Sequence, residues 1–149
     1  MEELAVYKEK VKSEKKYIVF GIDNENYGID ISSVNSIIQM PQITYVPKSP
    51  KHYSGIINLR GEIVPIISLR RRMNLEDDTY TNDSKIIITD IEEDKQVGLI
   101  VDDVKEVMTI ADDEIREPSP FLKKDDSLIS GVGNKDEELI SIFNLELLA

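Results

Sequence analysis

Residues 28–38 read GIDISSVNSII, and residues 98–108 read GLIVDDVKEVM. Each stretch begins with a glycine and then places apolar residues at matching positions, so that Val34 corresponds to Val104 and Ile37 corresponds to Val107. Two similar segments in one chain are the sequence signature of a duplicated structural unit. We therefore predict that the chain is built from two related halves.

The similarity continues on both sides of these stretches. Each is preceded by a lysine-led apolar run, KYIVF from Lys16 and KIIIT from Lys85, and each is followed by a proline-bearing loop, VPKSP from Val46 and EPSP from Glu117. Each half then reaches a Ser-Gly pair, at residues 54–55 and 130–131. This shared order favours two related lobes over chance similarity among β-rich segments.

The apolar runs are short and β-branched, which is typical of strands. They lie at residues 17–22, 56–59, 63–69, 86–91, 97–101 and 139–145. Residues 31–38 are too few to assign, although one helical turn leading into a strand fits them. The predicted fold class is all-β, as small barrels or a sandwich.

The predicted organisation is an N-terminal segment, residues 1–15, followed by one domain over residues 16–149. The N-terminal segment is mostly charged and is expected to be a short helix or disordered. The two lobes of the domain are predicted to span about residues 16–80 and 81–149 and to be intertwined. Packing them together would create a groove between them, and ligands often bind in such grooves.

Composition excludes several classes of protein. The 149 residues include no cysteine, so disulfides and cysteine-based zinc sites are excluded. The net charge of −11 is opposite to the basic footprint of a nucleic-acid binder. No apolar run reaches the length of a membrane helix, and we expect a cytoplasmic protein. The basic run at residues 70–72 either serves an acidic partner or is ordinary solvated surface.

The residues that usually carry chemistry are not arranged for it. The single histidine, His52, has no nucleophile or carboxylate near it in sequence, so a catalytic role is not indicated. Acidic pairs such as Asp102-Asp103 are adjacent, and adjacent residues on a strand point to opposite faces. We therefore expect no enzyme, no metal and no cofactor, and we favour protein recognition.

Residues 55–69 read GIINLRGEIVPIISL, which predicts a β-hairpin. Arg60 and Gly61 form the turn, where glycine supplies the positive φ that a tight turn needs. Pro65 cannot donate to a β-ladder, so it predicts an edge strand or a bulge. Arg60 therefore lies at the hairpin tip, where it either reaches a partner or forms an internal salt bridge.

This hairpin, together with YGIDISSVNSI at residues 27–37 and VGLIVDDVKEVM at residues 97–108, resembles the CheW family of bacterial chemotaxis coupling proteins. The most specific part is Asn58-Leu59-Arg60-Gly61 followed by Pro65. The resemblance covers about residues 16–148. Three departures are Ser68, where the family commonly has aspartate, the basic run at residues 70–72, and the loop at residues 122–127, which has no clear family match.

The resemblance implies two Src-homology-3-like five-stranded β-barrel lobes packed around a shared core. It implies a non-enzymatic, cofactor-free adaptor, monomeric on its own, that couples transmembrane chemoreceptors to the histidine kinase CheA. The protein would be cytoplasmic and recruited to membrane receptor arrays through these partners. The helical tip of the receptor would lie in the groove between the lobes, which is helix-in-groove recognition.

The resemblance also implies contact residues. Those expected to bind the receptor are Val34, Ile37, Gly55, Asn58, Arg60, Val104 and Val107. Those expected to bind the regulatory domain of CheA are Ile31 and Ser36, with Arg116 and Phe121 offered to a second kinase. Two alternatives remain open: an adaptor for a non-flagellar chemosensory pathway, and a small β-barrel enzyme that uses paired carboxylates.

Overall fold

The computed structural model describes residues 13–117 and 128–147. In chain order the strands are β1 (Glu14–Ile22), β2 (Glu25–Asp30), β3 (Val34–Gln39), β4 (Tyr53–Leu59), β5 (Glu62–Ser68), β6 (Lys85–Glu92), β7 (Lys95–Val101), β8 (Asp103–Ala111), β9 (Ile115–Arg116), β10 (Ile129–Lys135) and β11 (Glu138–Phe143). A short helix, α1 (Leu69–Arg72), follows β5, and single 3-10 turns lie at Ile31–Ser33, Asp112–Glu114 and Leu145–Leu147. The predicted all-β fold class is confirmed.

The strands form two sheets of matching order. Sheet I has the order β8-β1-β2-β11-β10-β9, and sheet II has the order β3-β6-β7-β5-β4. Each contains one parallel pair, β2 with β11 in sheet I and β5 with β7 in sheet II. The counterpart of β9 in sheet II is a single bridge from Thr44 to Ile56. This correspondence, strand by strand, confirms the predicted internal repeat.

The two repeats exchange strands. Sheet I is built from strands within residues 14–30, 103–116 and 129–143, whereas sheet II is built from strands within residues 34–101. Within the described residues the chain crosses between the sheets twice, at the 3-10 turn Ile31–Ser33 and at Asp102. Each lobe therefore contains strands from both repeats, and the strands divide at these crossings rather than at residue 80.

The glycine that opens each repeated stretch has a packing role. In the parallel ladders Gly28 lies beside Ile142, and Gly98 lies beside Ile66. A Cβ atom at Gly98 would lie 2.5 Å from Ile66 Cδ1, and one at Gly28 would lie 3.1 Å from Ile142 Cδ1. Both distances are shorter than van der Waals contact, so the isoleucine side chains occupy the space that a side chain at either glycine would need.

A large apolar core lies between the sheets, and each lobe has a smaller core of its own. Sheet I and sheet II both contribute buried side chains to this shared core: Ile18, Phe20, Ile22, Ile29, Phe143, Ile67, Ile87, Val97, Leu99 and Val101. The ring of Phe20 stacks on Phe143 with centroids 5.8 Å apart. Because burying one such side chain contributes about 1.5–3 kcal/mol, this core is the main force that holds the lobes together.

Local predictions agree with the structure at most positions. Residues 31–38 form one 3-10 turn followed by β3, as the sequence suggested. The prediction for Pro65 was wrong, because β5 lies inside sheet II between β4 and β7. The β5–β7 ladder begins only at Ile66, so the missing N–H of Pro65 falls just outside it.

The N-terminal segment 1–15 falls largely outside the described residues, and only its last residues appear, at the start of β1 (Glu14–Ile22). None of the helices found in residues 13–117 and 128–147 has the length and apolar character needed to cross a membrane.

Candidate partner-binding surface

The first repeated stretch places two apolar side chains on one face of β3. Ile37 lies opposite Ile87 in the β3–β6 ladder, and residues directly opposite one another share a face. Ile87 belongs to the shared core, and Val34 packs against that core. Ile37 is 40% exposed, so it extends the same face into solvent.

The second stretch repeats this arrangement on β8. Val107 lies opposite Ile18, and Val104 lies opposite Phe20, both of which are shared-core residues. Val104 packs against that core, whereas Val107 is 53% exposed. Each sheet therefore carries, on its terminal strand, one half-buried valine and one exposed aliphatic residue beside the shared core. We call these pairs the β3 row (Val34 and Ile37) and the β8 row (Val104 and Val107).

Arg60 lies at the tip of the β4–β5 hairpin, as predicted. Both turn residues have positive φ, 54° at Arg60 and 87° at Gly61, which is the geometry of a type I′ turn. The Arg60 side chain is exposed and makes no ion pair with any described residue. The internal salt bridge considered for Arg60 is therefore not observed within residues 13–117 and 128–147, and the guanidinium is free to meet a partner.

Two other expected receptor contacts have structural roles. Asn58 Oδ1 accepts a hydrogen bond from the Gly61 N–H at 2.9 Å and so stabilises the turn that presents Arg60. Gly55 is buried, with φ of 146°, and a Cβ there would lie 2.2 Å from the Thr44 carbonyl oxygen. Gly55 is thus placed to support the hairpin, whereas Asn58 both stabilises the turn and is exposed to solvent.

The residues expected to meet the kinase are spread over both sheets. Ile31 is exposed in the 3-10 turn between β2 and β3, while Ser36 is half-buried on the face of β3 opposite to the β3 row. Arg116 is exposed in β9 and pairs with Val132 of β10. Phe121 lies outside the described residues.

The basic run at residues 70–72 is largely committed to internal ion pairs. Arg71 donates from Nε and Nη2 to the two carboxylate oxygens of Asp77, at 2.8 and 3.2 Å. Arg70 makes a similar two-point contact with Asp102. The sequence analysis predicted neither pair. The partner of Arg70 lies 32 residues away, and no local pattern indicates it.

The structure adds an apolar depression beside the hairpin. It has a volume of about 230 Å³ and is lined by Val46, Ser49, Pro50, Tyr53, Gly55, Ile56 and Pro65. The proline-bearing loop noted in the sequence forms one wall, but the depression itself could not be predicted from it. Ile63, which is 61% exposed, lines a second hollow that shares Tyr53 and Pro65 with the first.

The neighbouring carboxylates Asp77 and Asp78 have pKa values shifted in opposite directions, the pattern that catalytic acid pairs show. The hydrogen bond from Arg71 lowers the pKa of Asp77, whereas burial raises that of Asp78. Asp77 is held by Arg71, and Asp78 accepts a hydrogen bond from the buried hydroxyl of Ser68. These contacts fasten the segment after α1 to the sheet, which accounts for both carboxylates structurally. Asp78 also places a carboxylate beside Ser68, the position at which the family commonly has aspartate.

Comparison with known proteins assigns the family. Residues 16–149 match the model of the CheW-like domain. The chain is 34% identical over 136 residues to the chemotaxis protein CheW of Bacillus subtilis, covering 91% of this chain and 86% of that protein. It is 30% identical to the chemotaxis protein CheW of Klebsiella aerogenes, covering 90% of this chain and 81% of that protein.

A solved structure has the same fold. The crystal structure of the scaffolding protein TtCheW from Thermoanaerobacter tengcongensis superposes with a TM-score of 0.83 at 38% identity, covering 90% of this chain and 86% of that one. This similarity supports the predicted pair of Src-homology-3-like lobes. With two sheets related by an internal repeat and a family model that matches nearly the whole chain, this protein belongs to the CheW-like domain family.

Proposed function

We propose that this protein is a non-enzymatic adaptor that couples chemoreceptors to the histidine kinase CheA in chemotaxis signalling arrays. The observation that supports this most directly is the pair of repeat-equivalent rows on β3 and β8, which flank the shared core on two different sheets. A helical receptor tip is a ligand that apolar rows of this kind suit, because an amphipathic helix lays its apolar face into a groove.

The receptor contact would combine the two rows with Arg60. Ile37 and Val107 supply exposed apolar surface, and Val34 and Val104 supply a floor fixed by the core. Arg60 adds a cation that no described residue neutralises, and a guanidinium suits a carboxylate or a backbone carbonyl. Asn58 and Gly55 would act by holding the hairpin in shape.

The kinase contact would lie elsewhere on the molecule. Exposed Ile31, at the crossing between the sheets, and Ser36 would meet the regulatory domain of one CheA, while Arg116 and Phe121 would meet a second CheA. Two different surfaces on one molecule make heterologous contacts, which close into rings when the rotation permits. The protein would thus be recruited to membrane arrays through its partners.

An isothermal calorimetric titration against the isolated regulatory domain of CheA from the same organism tests the proposal. Saturable binding with a defined stoichiometry is expected. Absence of binding by a sample that unfolds cooperatively in urea, and is therefore folded, would contradict it. The Ile31→Asp variant places a charge on the expected interface at a residue that is already exposed, so it should weaken this binding while the protein stays folded.

A further inference from the structure

One arginine and two aspartates form an ion cluster where the chain passes between the sheets. Arg70 donates from Nε to Asp102 Oδ1 at 3.0 Å and from Nη2 to Asp102 Oδ2 at 2.6 Å. Asp102 Oδ2 also accepts a hydrogen bond from the backbone N–H of Asp23 at 2.9 Å. The carboxylate of Asp23 lies 3.8 Å from Arg70 Nη1.

The three residues come from three different parts of the fold. Arg70 lies in α1, which follows β5 of sheet II, and Asp23 lies in the turn between β1 and β2 of sheet I. Asp102 is the crossing residue itself, between β7 of sheet II and β8 of sheet I, and its own N–H donates to the Gly21 carbonyl at 3.0 Å. The Asp102 carboxylate therefore joins the two sheets at the point where the backbone also joins them.

Such a contact supplies what the shared core does not. Burial of apolar surface is itself non-directional, and the close packing of the core restricts the angle between the sheets only through the shapes of its side chains. A two-point arginine–carboxylate contact adds geometric specificity, because both N–H groups must align with both oxygens. The Arg70 side chain is 16% exposed and that of Asp102 is 35% exposed, so the contact is partly shielded from screening by salt.

The other crossing is built differently. Glu146 occupies the position in the second repeat that Arg70 occupies in the first. Asp30, at that crossing, accepts a hydrogen bond from the N–H of Ser32, a contact confined to a single turn. Among the residues described, side chains therefore join sheet I to sheet II through an ion pair at the Asp102 crossing and not at the other crossing.

We propose that the Arg70–Asp102–Asp23 cluster sets the angle between the two sheets and so positions the β3 row against the β8 row. Each row lies on a terminal strand of a different sheet, so a change in angle changes the separation of the rows. The positioning of a ligand between them rests on the proposed function, whereas the effect on the angle does not. Arg70 and Asp102 are then positioning residues that need not touch a partner.

A change in this angle can be detected as a change in the distance between two spin labels. The chain contains no cysteine, so two introduced cysteines are labelled specifically. Spin labels at Glu62→Cys in β5 and Glu138→Cys in β11 occupy exposed, repeat-equivalent strand positions, one on each sheet. Double electron–electron resonance on this labelled protein reports the distance between sheets. We expect Arg70→Met to shift or broaden the distance distribution, and Asp102→Asn, which preserves side-chain shape, to do the same.

The control is Arg71→Met. It removes a second two-point arginine–carboxylate contact from the same helix, but one that is more exposed and whose partner, Asp77, lies in the segment joining two strands of sheet II. This variant should leave the distance distribution unchanged. Equal distributions in the wild-type, Arg70→Met and Asp102→Asn proteins would overturn the proposal, and so would an equal broadening by Arg71→Met.

A binding measurement with a soluble fragment of a chemoreceptor tip completes the test. Loss of the correct angle reduces the fraction of competent molecules, and the apparent Kd rises by the inverse of that fraction. We expect the Kd to rise about fivefold for Arg70→Met, near the low end of conformational couplings, and to stay unchanged for Arg71→Met. A shifted distance with an unchanged Kd would overturn the positioning role. A wild-type protein that does not bind the fragment would contradict the proposed function instead. The distance distributions alone would then decide whether the cluster sets the angle between the sheets.

Discussion

The β4–β5 hairpin of the first repeat and the β10–β11 hairpin of the second have the same backbone and opposite chemistry. Their turns have φ values of 54° and 87° at Arg60 and Gly61, and of 52° and 67° at Asp136 and Glu137. Each carries an exposed aliphatic residue after the turn, Ile63 or Leu139. The duplication has preserved what the turn requires, whereas the charge at the tip has changed from positive to negative.

This difference separates residues that the fold needs from residues that a partner needs. A position that has the same residue in both repeats, such as the glycine of each Ser-Gly pair, is constrained by packing. Arg60 and Asp136 are equivalent positions with the same backbone and different side chains. Packing does not constrain such a position, so its side chain is available for recognition. Substitutions at paired positions of the two repeats can distinguish these two kinds of residue.

The largest effect is expected from Gly55→Ala, compared with Gly131→Ala. At Gly55 the new Cβ would lie 2.2 Å from a backbone oxygen, at a φ of 146° that disfavours alanine. Strain and overpacking together should lower the free energy of unfolding by about 4 kcal/mol. At Gly131 the contact, 2.6 Å, is with the Ile115 side chain, which can move, and a loss of about 2 kcal/mol is expected. Urea denaturation measures both, and equal losses would contradict this account of Gly55.

The next effect is on binding, from Arg60→Glu compared with Asp136→Arg. Both changes reverse a charge at an exposed position of a type I′ turn, so both should leave stability within about 0.5 kcal/mol. Arg60→Glu should weaken binding of a receptor-tip fragment at least about tenfold, or 1.4 kcal/mol, whereas Asp136→Arg should not weaken it. Calorimetric titration decides, and similar effects from the two variants would remove the role given to Arg60.

A smaller effect separates the two members of the β8 row. Val104 packs against the shared core, so Val104→Ala should lower stability by about 1 kcal/mol. Val107 is 53% exposed, so Val107→Ala should change stability by less than about 0.5 kcal/mol and still weaken receptor binding. Denaturation and titration of the same two proteins measure this, and the reverse order of stabilities would contradict the register of β8 against β1.

The smallest effect is a dependence of stability on pH. Burial opposes ionisation of Asp102, but the hydrogen bonds from Arg70 and from the Asp23 N–H outweigh it and hold the pKa of Asp102 below the ordinary value of 3.8. A carboxyl with a lowered pKa stabilises the fold above its unfolded pKa, and this contribution is lost as pH falls through the folded pKa. Wild-type protein should therefore be more stable than Asp102→Asn near pH 6, and the difference should shrink below pH 3.8. A difference that stays constant down to acid pH would contradict the ion pair.

Much of the fold could be predicted from the sequence, since the repeat, the hairpin at Arg60 and most strands follow from local patterns. The exchange of strands could not, because the turn Ile31–Ser33 and the residue Asp102 do not reveal which sheet the next strand joins. For the same reason the Arg70–Asp102 contact is invisible in the sequence. The receptor and kinase residues came from family resemblance, and the structure adds which are exposed, as Ile37 is, and which are held by the core, as Val34 is.

The proposed adaptor holds a receptor and CheA at the same time. Size-exclusion chromatography of a receptor-tip fragment and the CheA regulatory domain, with and without this protein, detects such a three-component complex. We predict that the three co-elute as one complex, that the two partners elute separately without the protein, and that Arg60→Glu releases the receptor fragment while the kinase domain stays bound. Displacement of one partner by the other would contradict the account, since the two surfaces would then overlap.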